Sequence, residues 1–388
     1  MAAYDVIVIG AGITGASTAY HLKKRGMKRV LLVDREAPAA GGTGKSAAII
    51  RQHYSNPLLV RLTKSSIGML AAMPQELGKS GGYVRSGYFF LINQEMLAGA
   101  KANVAMQREA GVDTRFLDQK EIEKFCPWLN PEGVAAVIHE PDGGYADPVQ
   151  ATEAYVHGLR KLGGEVREKK PARALVRSGN RITAVTFDDE ELAAGAVVNA
   201  AGPWAAPLAA SAGMDMQMRT VREQDTIWEG RPGRPLPEAS VSNGVDAIYL
   251  RPLGERRFVI GRGFPKQYYD VDPYNYKLTA DDWFVSEVQE RMERRFPPLA
   301  GAKLVTAYAA LYDVALDWYP YVGPRKGIEG YFDACGGSGH GFKIGPAIGK
   351  ELADWIADAR TGADFSRLSY DRISANRLFT QAYGGNRG

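Results

Sequence analysis

Cysteine is scarce in this chain of 388 residues. Only Cys126 and Cys335 occur, far apart, which excludes a disulfide framework and fits a reducing compartment. Histidine is nearly as scarce: His21, His53, His139, His157 and His340 show no metal-ligand spacing with one another or with the cysteines, so no metal is expected. Concentrated charge is missing too. The net charge of +4 is spread along the chain without a basic run, which excludes a nucleic-acid partner. Residues 192–214 carry no charge, but Pro203, Pro207, Asn199 and many alanines make them strand, turn and short helix rather than a transmembrane segment. The start of the chain lacks a basic region followed by an apolar stretch, so no signal peptide is expected and the location is read as cytoplasmic. There are no internal repeats.

What is present is glycine in organised places. The chain opens with "YDVIVIGAGITGASTAYHLKKRGMKRVLLVDRE". An apolar run at residues 6–9 predicts a buried parallel strand, and Gly10, Gly12 and Gly15 follow as G-x-G-x-x-G. Small and apolar residues then recur at helical spacing, and residues 30–33 predict a second buried strand with Asp34 at its tip. Gly10 permits a tight turn, Gly12 lets backbone approach a pyrophosphate, and Gly15 lets helix and strand pack closely. Ile13 and Thr14 open the helix whose N–H groups would face that pyrophosphate, and the Asp34 carboxylate can accept bonds from a ribose. Its charge disfavours NADP, but the fingerprint alone does not choose between NAD and FAD.

A second small-residue loop, "GGTGKSAAIIRQHYSNP", follows the second strand at residues 41–57. A third, "CGGSGHGFKIGP", spans residues 335–346 and precedes an apolar helical stripe at Ile348, Leu352 and Ile356. Pro346 is expected in the first turn of that helix.

With its "VVNAAGPWA", "LYDVALDWYPYVG" and "FSRLSYDRISANRL" segments, the chain resembles the D-amino-acid oxidase and sarcosine oxidase family of FAD-dependent amine oxidoreductases, in particular sarcosine oxidase beta-subunit-like members. Ala315 and Leu316 stand where the family usually has Thr-Pro. The resemblance implies an α/β fold with a Rossmann-like FAD-binding domain (residues 1–80, 145–219 and 325–388). It also implies an α+β substrate domain with a mainly antiparallel sheet (residues 81–144 and 220–324). Further FAD contacts are implied for Arg35; for Gly42, Thr43, Ser46 and Ala47 of the second loop; and for Ala172, in what looks like the family's strand pair at residues 163–176. Ala200, Gly202 and Trp204 join them, as do Gly337, Gly339, His340, Gly341, Phe342 and Lys343 of the third loop. The helix after that loop would point its N-terminus at the flavin and stabilise negative charge there.

For the substrate, the family's "I-I-R" and "G-H-G-F-K" segments match at Arg51 and Lys343, which implies that both cations hold a carboxylate. Tyr249 and Arg251 alternate onto one face of an expected hairpin turning at Gly254-Glu255, and are candidates for substrate contact. Tyr312 is a second-rank candidate, His53 and Tyr54 are candidates for lining the pocket with no assigned role, and His340 is expected to pack beside the flavin without acting as a base. Ala310 stands where cysteine-linked members carry their cysteine, so the FAD is expected to be noncovalent.

The implied reaction is oxidation of the C–N bond of a carboxylate-bearing amine, preferably secondary or N-methyl, by hydride transfer to flavin N5, giving an imine that hydrolyses. The electron acceptor could be oxygen, a quinone or an electron-transfer protein. Val259 occupies the position of an oxygen-promoting lysine, which favours a dehydrogenase over an oxidase. Two alternatives stand beside this reading: an FAD-carrying subunit of a multi-subunit amino-acid or proline dehydrogenase that needs its partner, and a 2-hydroxy-acid oxidoreductase on the same fold.

Overall fold

The computed structural model describes residues 4–380. Residues 1–3 and 381–388, the outer ends of the expected FAD-binding stretches, lie outside the described residues.

The first sheet is built on five mutually parallel strands, in the spatial order Glu165–Arg167, Val30–Val33, Tyr4–Ile9, Glu191–Asn199 and Ile328–Cys335. Antiparallel strands Tyr321–Arg325, Arg181–Thr186 and Ala174–Ser178 extend it. Parallel pairing buries both faces, which is why Val30–Val33 is apolar and buried throughout. Helices Ile13–Lys24, Pro57–Leu77, Pro148–Lys161 and Gly341–Asp358 share one hydrophobic core on one face. The stretch at residues 163–176 departs from expectation. Its two strands do not pair with each other: Glu165–Arg167 joins Val30–Val33, while Ala174–Ser178 joins Arg181–Thr186.

The second sheet runs Lys303–Ala315, Met218–Glu229, Arg257–Arg262, Ile248–Pro252, Ser240–Asn243, Tyr88–Ile92, Ala136–Glu140 and Arg115–Phe116. It is antiparallel except where Ser240–Asn243 meets Tyr88–Ile92. Ile248–Pro252 and Arg257–Arg262 form the expected hairpin. Asp147 caps the helix Pro148–Lys161, accepting from the N–H groups of Val149 and Gln150. Residues 192–214 become all but the first residue of the strand Glu191–Asn199, a 3-10 turn at Gly202–Trp204 and the short helix Ala205–Ala210. No described helix is long and apolar enough to cross a membrane.

The last long helix begins at Gly341, so Pro346 is its sixth residue and not part of its first turn. The proline has no N–H to donate, and the Ser17 hydroxyl donates to its carbonyl at 2.9 Å. The next N–H, of Ala347, donates to Ser66 Oγ at 3.1 Å. Gly345 and Gly349 face the first helix, where added Cβ atoms would lie 2.7 Å from Ile13 Cγ2 and 2.5 Å from Ser17 Cβ. These two glycines let helix Gly341–Asp358 lie closely on Ile13–Lys24, which brings the first and third glycine loops together.

Candidate active site

The five parallel strands of the first sheet all end at one cleft, as open parallel sheets place their ligands beyond the strands' carboxyl ends. Each end supplies part of a cavity of about 860 Å³. Tyr4–Ile9 leads into Gly10, Gly12, Ile13 and Thr14; Val33 into Asp34 and Arg35; Arg167 into residues 170–173, with Ala172 among them. Asn199 leads into Ala200, Gly202 and Trp204, and Cys335 into Gly337, Gly339, Gly341 and Phe342. Gly42, Thr43 and Ser46 of the second loop complete the wall.

Asp34 accepts from the Ala11 N–H at 2.7 Å on one oxygen and from the Glu36 N–H at 2.9 Å on the other. Burial nevertheless raises its pKa, the cost of a carboxylate held out of water. Gly10 has φ +104°, and a side chain there would collide with the Ala200 carbonyl. An added Cβ on Gly12 would meet only Thr43, and one on Gly341 would meet nothing within 4 Å. Backbone therefore faces the cavity bare at both glycine loops. An acid at a strand tip, bare glycine backbone and two converging helix N-termini suit the ribose, pyrophosphate and ring of FAD.

Not every expected FAD contact lines this cavity. Gly15 lies behind it, packed on the Gly10 carbonyl. Ala47 and Lys343 line a second, smaller cavity instead. Lys170, Arg173, Tyr274 and Tyr276 also line the large one and carry no sequence motif. The Arg35 guanidinium lies 4.9 Å from the Trp204 ring centroid and 5.3 Å from that of Tyr274, a cation–π contact with both rings.

The smaller cavity, about 90 Å³, shares Ser46, Tyr312 and Gly339 with the larger. Arg51, Lys343 and Tyr249 all line it, with His53 beside them. Arg51 follows the short strand Ile49–Ile50, which pairs with Gly144–Tyr145. Its guanidinium lies 4.3 Å from the Tyr54 ring centroid, and Nη1 donates to the His53 carbonyl. Lys343 sits in the first turn of its helix. Burial, and then the Arg51 charge, lower its pKa well below the ordinary lysine range. Among the described residues it makes no ion pair. Behind the cavity, burial pushes the Glu140 carboxyl up to about 7, although the Gln52 N–H donates to it at 2.7 Å.

Three candidates fall elsewhere. Tyr54 is fully buried and lines neither cavity, its ring packed against the Arg51 guanidinium. His340 lines neither cavity. Its Nε2 lies 2.9 Å from the Trp318 carbonyl, and burial holds its pKa down to about 3. Arg251 shares a strand face with Tyr249 but lies one rung further on, where Nη2 donates to the Ala146 carbonyl at 2.8 Å and the guanidinium stacks on Tyr145. Alternation gave both residues the same face without saying how far the cavity extends along it. Tyr88, Phe90 and Ser242 complete the small cavity from neighbouring strands, and only sheet register could have revealed them.

The segments at residues 311–323 and 365–378 meet through Arg372, whose guanidinium is bidentate to the buried Asp317 at 2.8 Å on each oxygen. The same guanidinium donates to the Tyr319 and Leu368 carbonyls, locking the turn that carries Trp318 against His340.

A family model described as "FAD dependent oxidoreductase" matches residues 5–355. The chain is 26% identical to 4-methylaminobutanoate oxidase (formaldehyde-forming) of Paenarthrobacter nicotinovorans over 96% of its own length, spanning 46% of that protein. It is 24% identical to sarcosine oxidase subunit beta of Rhodobacter capsulatus, covering 91% of this chain and 85% of that one. Among solved structures it superposes on L-proline dehydrogenase from P. horikoshii with a TM-score of 0.89 and 26% identity, covering 97% and 99% of the two chains. With the five strand ends, the bare glycine backbone and Asp34 in place, the chain belongs to the FAD dependent oxidoreductase family, and its cofactor is FAD.

Proposed function

We propose that this protein oxidises the C–N bond of a small amine that carries a carboxylate, a secondary amine in preference to others. The carrying observation is the pair of buried cations, Arg51 and Lys343, facing one small cavity that opens onto the FAD cavity. A buried ammonium without an ion pair is costly unless an anion arrives. A substrate carboxylate meets that need: the guanidinium takes it through paired N–H donors, and the ammonium adds a point charge. Docking raises the depressed Lys343 pKa, so proton uptake by the lysine accompanies carboxylate binding. The rest of the substrate then lies toward Tyr249 and on toward Tyr312 and Gly339, which line both cavities. FAD, when bound, supplies the hydride acceptor.

The named relatives, an oxidase of a methylamino acid, a sarcosine oxidase subunit and an L-proline dehydrogenase, support this class of substrate. Noncovalent attachment is supported by Cys335. Cys335 lines the large cavity, but burial raises its thiol pKa well above the ordinary range, which disfavours the thiolate that a linkage would need. Buried Val259 gives no cation to promote reaction with oxygen, which supports a dehydrogenase passing electrons to a quinone or an electron-transfer protein. The relation to a sarcosine oxidase subunit supports a second reading, in which a partner chain completes the enzyme.

The test is an anaerobic bleaching screen of the yellow protein with sarcosine, other N-methyl amino acids, L- and D-proline, glycine and D-alanine. Bleaching by a secondary amino acid supports the assignment, and bleaching only with a partner present supports the subunit reading. Bleaching by a 2-hydroxy acid and by none of the amines overturns both. Stoichiometric peroxide under air would overturn the dehydrogenase assignment.

A further inference from the structure

Gly261 is the penultimate residue of the strand Arg257–Arg262, which lies inside the second sheet. Glycine weakens a strand interior and there marks a close approach of other groups. Its neighbours say which groups. Gly261 lies directly opposite Asp225 on one side and directly opposite Tyr249 on the other. A Cβ on Gly261 would collide with Asp225 Oδ1 and with the Tyr249 hydroxyl. The gap lets two side chains from non-adjacent strands meet over it: the Tyr249 hydroxyl donates to Asp225 Oδ1 at 2.6 Å. That length is in the range of a hydroxyl bound to a charged acceptor.

Asp225 is buried, and among the described residues the Tyr249 hydroxyl is its one hydrogen-bond donor and no cation pairs with it. The nearby carboxylate Glu223, on the same strand, is taken by Lys266. Tyr308 and Tyr312 come from the adjacent strand Lys303–Ala315. The Tyr308 hydroxyl donates to the Lys45 carbonyl at 3.3 Å, so neither it nor Lys266 satisfies Asp225. Tyr249 itself lines the small cavity.

A phenol has one hydrogen to give. Resting on the reading that the small cavity takes a carboxylate-bearing amine, we infer that Asp225 acts as a positioning residue. It holds the Tyr249 hydrogen away from the cavity, so that the phenol oxygen faces the substrate only as an acceptor and selects a reacting nitrogen that still carries a hydrogen. Neutral primary and secondary amines have that N–H, and neutral tertiary amines lack it. The carboxylate end is read by Arg51 and Lys343, the nitrogen end by the Asp225–Tyr249 pair.

The control over polarity depends on charge. Burial raises the Asp225 pKa to about 7; the Tyr249 bond and Lys266 oppose that rise, and Glu223 adds to it. Once protonated, Asp225 can donate to the phenol oxygen and free the Tyr249 hydrogen to turn toward the cavity. The selection is therefore present above that pH and fades below it.

The test uses the FAD-loaded protein and two unreactive ligands, pyrrole-2-carboxylate and 2-furoate. They share ring size and carboxylate and differ by an N–H against a ring oxygen. Dissociation constants are read from the perturbed flavin absorbance between pH 6 and 8.5. Titration of Lys343 acts on both carboxylates alike and cancels in their ratio. The pyrrole should bind about tenfold tighter at pH 8.5, the worth of one good hydrogen bond, with the preference falling toward pH 6. Tyr249→Phe should bring the ratio to about one, and Asp225→Leu should lower it likewise because the freed phenol can donate to the furan oxygen. If the leucine variant fails to hold flavin, Asp225→Asn decides: its ratio should no longer change with pH. An unchanged tenfold ratio in Asp225→Leu, a pH dependence that survives in Asp225→Asn, or no preference in the parent protein each overturns the inference. In all three cases Arg51→Ala still weakens both ligands if the carboxylate reading holds. If neither acid binds, that reading falls and takes the inference with it.

Discussion

The two cavities touch, yet they are built from different material. The large one is walled by loops at the ends of five parallel strands, with bare glycine backbone at Gly10, Gly12 and Gly341, where a Cβ would collide or intrude. The small one is walled by side chains of the second sheet, of the segment around Arg51 and of the last long helix, among them two buried cations, three phenols and the ring of Phe90. A backbone cradle accepts any ligand of the right shape and phosphate pattern, so it fixes the cofactor. A side-chain cavity can change residue by residue without disturbing the fold, so it fixes the substrate. The contrast predicts that substitutions in one region leave the other's ligand in place.

The largest expected effect is at Gly12. Gly12→Val keeps an ordinary backbone conformation but pushes methyl groups into the cradle beside Thr43. Flavin per chain, read from the visible and ultraviolet absorbance of purified protein, should fall at least about tenfold with circular dichroism unchanged. Full occupancy would show that backbone approach at Gly12 is not what holds FAD.

Lys343 tests the other side. Because its pKa is lowered, its charge is present below that depressed value and lost as pH rises through it. Carboxylate affinity should decline along that limb. Lys343→Met should weaken binding by about tenfold at low pH and flatten the profile, with flavin content unchanged. An intact limb in the methionine variant would place the titrating group elsewhere.

Two glycines of one helix sharpen the comparison at smaller scale. Gly345→Ala forces a Cβ against Ile13 and should cost about 1–3 kcal/mol in urea unfolding. Gly341→Ala meets open space and should change stability by less than about 0.5 kcal/mol while weakening FAD retention. Equal stability losses at the two positions would erase the distinction between packing and cradle glycines.

The same contrast explains what the sequence disclosed. Gly10, Gly12 and Asp34 were legible because backbone cradles need particular residue types at fixed local spacing, whereas the third glycine loop was read as an FAD contact through resemblance. Arg51 and Lys343 were legible only through resemblance, since a lone buried cation has no local signature. Asp225 left no mark at all. It lies 24 residues from Tyr249, and only the register of three strands, with Gly261 between them, brings the pair together. Pro346 misled because a proline usually opens a helix. Here Gly341 opens it, and Ser17 bonds the proline's own carbonyl while Ser66 receives the following N–H. The two strands at residues 163–176 look like a local pair, but each finds a partner that local sequence could not show.

The most direct test of the account is the affinity of FAD-loaded Arg51→Ala for pyrrole-2-carboxylate, measured by titrating the flavin absorbance. The account predicts binding weakened about tenfold to a hundredfold with flavin content unchanged, because one charge-assisted partner is lost and the cradle is untouched. Binding as tight as in the parent protein would contradict it, since the carboxylate would then dock away from the cavity that Arg51 and Lys343 share.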